Sequence, residues 1–124
     1  MPEFHLYLYG RSKGPIESSF EAAEERLKGL PKLYFEPDGS FVWALDEGRQ
    51  QVFGMVYDAA GAIQYIELWG RCERITWQQI VHAATGSQSS HFEVLRLPDQ
   101  RLQELQDFET EFWPGGADSS VVSE

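Results

Sequence analysis

A chain of 124 residues with 42% apolar and 14% aromatic content suffices for one hydrophobic core, so a single domain over 1–114 is expected. Twenty acidic against ten basic residues give a formal net charge of −10, a field that disfavours a nucleic-acid partner and would favour a basic one, although keeping a small protein soluble is the more ordinary use of such a charge. Cys72 stands alone, which excludes an internal disulfide, and neither a signal peptide nor a run of roughly 20 apolar residues is present; the expectation is a cytoplasmic protein with no membrane contact.

Residues Phe4 to Tyr9 alternate, with Phe4, Leu6 and Leu8 on one side and His5, Tyr7 and Tyr9 on the other, which predicts a strand. Ser18 with Glu21 reads as a capping box, and Phe20, Ala23, Leu27 and Leu30 follow at helical spacing until Gly29 and Pro31 end the helix.

The stretch YFEPDGSFVWALDEGRQQVFGMVYD then sets Glu36, Asp38, Asp46, Glu47 and Asp58 among rings. Three short connections, at 37–39, 46–48 and 59–61, each finish in glycine, the residue that closes a three-residue hairpin with a positive φ. A four-stranded meander follows, with Glu36 facing Ser40, Leu45 facing Arg49 and Asp58 facing Ala62. In that register Leu33, Phe35, Phe41, Trp43, Phe53, Met55, Tyr57, Ile63, Tyr65, Glu67 and Trp69 share one face, which should receive the helices. Tyr34, Val42, Ala44, Val52, Gly54, Val56, Gln64, Ile66 and Leu68 share the other.

A second helix is predicted from Thr76, with Thr76 and Gln79 as capping box, Ile75 stapled to Ile80, Trp77, Ile80, Val81 and Ala84 inward, His82 outward and Gly86 at its end. SQSSH reads as a polar loop and HFEVLRL as an edge strand. A third helix after Pro98 and Asp99 takes in Leu102, Leu105, Phe108 and Phe112, and 115–124 reads as a disordered acidic tail. The fold class is α+β: a mainly antiparallel sheet of five or six strands with a central four-stranded meander and two or three helices packed on one face.

Turn chemistry accounts for Asp38, Asp46 and Asp58, which leaves the apparent acidic cluster without a catalytic or calcium-binding reading. Cys72 has no local signature with His5, His82 or His91, the histidines lack zinc-site spacing, and neither a phosphate loop nor a nucleophile elbow appears. No catalytic residue, metal or cofactor is assigned. Glu67 is the one acid out of pattern, a carboxylate between Tyr65 and Trp69 that must either become protonated or find a partner such as Arg71, Arg74 or a tyrosine hydroxyl.

Two functional readings follow. The first is a non-enzymatic interaction or regulatory module that binds a protein partner or itself through the smaller apolar face, Val42, Val52, Val56, Ile66 and Leu68. The second is a small-ligand site, enzymatic or not, around Glu67, Trp69, Arg71, Tyr65 and Trp43. His5, Tyr7, Tyr9 and the meander rings also resemble a stacking platform, although core packing accounts for most such rings.

Overall fold

The computed structural model describes residues 1–86 and 91–115. Seven strands, β1 (Phe4–Tyr9), β2 (Leu33–Phe35), β3 (Ser40–Leu45), β4 (Gln50–Ala59), β5 (Ala62–Arg71), β6 (Glu93–Arg96) and β7 (Arg101–Glu104), form one antiparallel sheet in the order β2-β3-β4-β5-β1-β6-β7. Three helices, α1 (Phe20–Lys28), α2 (Arg74–Thr85) and α3 (Leu105–Phe112), complete the described chain. The α+β class and the β2–β5 meander are therefore present, and the first strand lies between β5 and β6.

Local chemistry explains the elements and corrects their edges. α1 starts one residue later than the capping box suggests: the Ser19 hydroxyl accepts the Ala22 N–H at 3.1 Å, while Ser18 turns its hydroxyl to the Arg26 guanidinium. α2 begins at Arg74 rather than Thr76, and its cap comes from elsewhere in the chain. The Gln50 side-chain carbonyl accepts both the Glu73 N–H at 2.9 Å and the Thr76 hydroxyl at 2.7 Å. Ile75 is exposed and staples nothing. At the other end Gly86 takes a left-handed φ of 73° and donates its N–H to the His82 carbonyl, closing the helix as predicted.

The third helix is shorter than its spacing suggests. Residues 101–104 pair with β6 instead, setting Leu102 opposite Leu95, so β6 is an interior strand rather than an edge. The SQSSH loop and the tail fall largely outside the described residues.

Two loops shift the predicted register. The first hairpin is as read: the Glu36 N–H donates to the Ser40 carbonyl, and Leu33 and Phe35 face Trp43 and Phe41. The second runs over 46–49, with Asp46, Glu47 and Gly48 all at positive φ, so Leu45 faces Gln50 and not Arg49. One extra loop residue exchanges the two faces of everything beyond it. The third hairpin pairs Ala59 with Ala62, closes through Ala60 and Gly61 at positive φ, and carries a bulge after Tyr57. Gln64, the extra residue, donates its amide to the Ala59 and Ala62 carbonyls. Turn and bulge together move β5 by an even number of positions, so Tyr57, Tyr65, Glu67 and Trp69 stay together, while Ile63 crosses to the buried side.

The predicted sorting of large from small side chains therefore fails across the β3–β4 loop. Trp43 and Trp69 lie on opposite faces: Trp43 is opposite Val52, whereas Trp69 is opposite Phe53. The true core face carries Phe4, Leu6, Leu8, Phe41, Trp43, Val52, Val56, Ile66, Leu68 and Val94. Ala23 and Leu27 of α1, Trp77, Ile80 and Ala84 of α2, and Leu105 and Phe108 of α3 join the same buried cluster, so all three helices cover one face. Rings concentrate at one end, where Phe4, Trp77, Phe108, Phe112 and Trp113 meet at 4.8–6.3 Å between centroids, edge-on or tilted except for the stacked Phe108 and Phe112.

Candidate functional site

With the three helices on one side, the other face of the sheet has no helix against it among the described residues, and its side chains can be read strand by strand. One rung runs Tyr34, Val42, Phe53, Trp69, His5 across β2, β3, β4, β5 and β1. The next runs Ser40, Met55, Glu67, Tyr7, Leu95, Leu102 out to β7. A third brings Tyr57 and Tyr65 together, with Tyr9 beside them.

The rings on this face shelter one another, which is how a sheet can carry them without helix cover. Phe53 and Trp69 stack across β4 and β5 at 5.6 Å and 14°. Tyr57 and Tyr65 stack at 4.6 Å, and Tyr7 and Tyr9 reach Tyr65 at 5.2 and 5.5 Å. Each such cross-strand pair contributes about 0.2–1 kcal/mol, enough to hold the rings in place and far less than core burial. The result is a preformed aromatic surface whose rings remain partly accessible.

Glu67 sits within it, half-buried, with both oxygens engaged. One accepts from the His5 ring at 2.7 Å and the other from the Tyr57 hydroxyl at 3.2 Å. The predicted tyrosine partner is thus present; His5 was not foreseen, because β1 joins β5 across a separation of 62 positions that no local pattern reveals. Burial and the Glu67 carboxylate raise the Tyr57 hydroxyl above its ordinary pKa, so it stays a donor.

The structure brings Tyr65, Glu67 and Trp69 onto one surface and separates Trp43 from them. Trp43 is 4% exposed on the helix side and donates its indole N–H to the Pro31 carbonyl. Arg71 lies one rung beyond Trp69 but turns its guanidinium to the Gly48 and Arg49 carbonyls. The predicted partner interface is corrected as well. Val52, Val56, Ile66 and Leu68 are at most 2% exposed within the chain's own core, and only Val42 points to the open face, because the β3–β4 loop exchanged the sides.

The remaining chemical candidates are structural. Asp38 accepts the Ser40 N–H and hydroxyl, which lower its carboxyl below the ordinary value. Burial pushes the Cys72 thiol up to about 12, with Glu73 adding to the rise, which leaves it a poor nucleophile. Among the described residues no group of three or more His, Cys, Asp or Glu is placed to hold a metal ion, and no helix is long and apolar enough to cross a membrane.

The chain matches none of the protein-family models, curated proteins or solved structures against which it was compared.

Proposed function

We propose that the protein is a non-enzymatic interaction module whose docking surface is the uncovered sheet face of β1, β4 and β5, with Tyr7, Phe53, Tyr57, Tyr65 and Trp69 as its contact residues. One observation carries this reading: two stacked ring pairs, Phe53 with Trp69 and Tyr57 with Tyr65, line the sheet face opposite the three helices, with Tyr7 tilted against Tyr65. Aromatic side chains supply large, rigid contact area at low entropic cost, and they concentrate at the centres of protein interfaces. A carboxylate amid the rings and a net charge of −10 favour a protein partner over a nucleic acid. Glu67, held by His5 and Tyr57, orders the surface rather than reacting.

A photo-crosslinking amino acid placed at Tyr65 tests this, with one at the exposed α2 residue Gln78 as control. The expected outcome is a discrete adduct from position 65, whether with another protein or a second copy of this chain, that is lost in the Trp69→Ala/Tyr57→Ser background. Equal labelling from both positions, or an adduct indifferent to those substitutions, contradicts the proposal.

A further inference from the structure

Beside Trp69 the open face is not flat. β3 presents only Ser40, Val42 and Ala44 outward, between Tyr34 on β2 with Glu36 just beyond it and Phe53 on β4. Small side chains flanked by tall ones leave a notch of about 200 Å³, lined by Tyr34, Glu36, Ser40, Val42, Phe53 and Trp69. Pockets that enclose a cofactor or drug-sized ligand start at roughly 300 Å³, so this one is the size of a single side chain.

Its chemistry narrows the occupant. The lining is mostly apolar and aromatic, and its one charged residue is Glu36, which is exposed. Arg71, one rung away, is turned to main-chain carbonyls, so its charge is directed elsewhere. An aliphatic stem ending in a cation satisfies both walls and rim: the stem packs on Val42 and Phe53, and the head lies against ring faces and a carboxylate. The same face already holds one such pair, since the Lys13 ammonium stands 5.5 Å over the Tyr9 ring. A chain with net charge −10 also draws basic segments toward itself.

We infer that the notch between Tyr34 and Trp69 is the anchor pocket for an arginine or lysine side chain of a basic partner segment, an inference that rests on the docking face proposed above. An arginine is the better fit, because its planar head stacks on rings and still donates to Glu36.

The test uses the whole protein and an acetylated, amidated pentapeptide with one central arginine among glycine and alanine. Two control peptides carry citrulline or norleucine at the centre, and the Trp69 indole and Tyr34 ring signals are followed by NMR. The arginine peptide is expected to shift both signals saturably with a Kd on the order of 1 mM, as suits one anchor without its flanking contacts. The citrulline peptide should bind about tenfold more weakly, and Trp69→Ala should cost a similar factor. Glu36 is exposed, so Glu36→Gln leaves the fold intact; it should weaken the arginine peptide about threefold and flatten its salt dependence. Equal binding of the norleucine peptide, or shifts centred away from the notch, overturns the inference. Failure here with the position-65 adduct retained shows that the face docks a partner by another anchor. Loss of both removes the docking face itself.

Discussion

At the scale of single residues, what was legible in the sequence was whatever a residue and its near neighbours decide. The loop glycines Gly39, Gly48 and Gly61 take positive φ values of 98°, 88° and 82°, and Asp38 bonds within its own turn, as their types dictate. Glu67 could be singled out because alternation placed a charge between rings, but its principal partner, His5, belongs to a distant strand. Glu109 reads in the sequence as one of the outward-facing acids of the third helix, yet it is buried. On α3 this residue is 8% exposed, and its carboxylate accepts the Trp77 indole N–H at 2.9 Å and lies 3.7 Å from Arg74. Burial raises its pKa by more than the Trp77 and Arg74 contacts lower it. The folded state therefore holds this proton more tightly than the unfolded chain does, so the group's contribution to stability is greatest at acid pH and is lost as pH rises through its folded-state pKa. Gln at this position keeps an acceptor for Trp77 and removes the charge. The stability of Glu109→Gln relative to the native protein should accordingly rise from about pH 4 to about pH 7, read from urea midpoints. A constant offset would contradict this account of Glu109.

At the scale of elements, alternation marked β1, β3, β4 and β5 well because one face of each is buried, and the helical spacings of α1 and α2 marked those helices. Helix starts were less legible, since a cap can come from anywhere in the fold. Thr76 and Gln79 have the right identities for a capping box, yet Gln50 on β4 occupies the end of α2. Gln50 is 5% exposed, and its amide is also tied to Asp46. Gln50→Leu should destabilise the protein by about 1–2 kcal/mol, leaving the Glu73 N–H and Thr76 hydroxyl without their acceptor. Glu73→Ala, whose side chain makes no cap, should cost less than about 0.5 kcal/mol. Unfolding midpoints of the two variants check the contrast, and equal losses would assign the cap to the wrong residue. β7 was hidden for a related reason: Leu102, Leu105, Phe108 and Phe112 fit a helical period, but pairing with β6 claims the first of them.

At the scale of the whole molecule, the sheet and its helical layer followed from the pattern, and the assignment of faces did not. A strand has a period of two, so one residue in the 46–49 loop decides which of two apolar faces receives the helices, and no residue in the loop announces its length. Both faces are rich enough in apolar groups to pass for a core. That is also what makes the open one informative: stacked rings on the uncovered side are held by pairwise contacts that contribute little to stability, so the fold alone does not account for them. Of the residues read as a ligand site, Tyr65, Glu67 and Trp69 share the face opposite the helices, whereas most of those read as a partner interface lie in the core.

Which tryptophans face solvent decides which face of the sheet is open. Adding a soluble paramagnetic agent to dilute protein and following the indole signals by NMR reads this directly. Trp69 should broaden strongly, while Trp77, fully buried, and Trp43, at 4% exposure, stay sharp. Trp69 protected to the same degree as Trp43, or Trp43 broadened with it, would contradict the face assignment and the docking surface built on it.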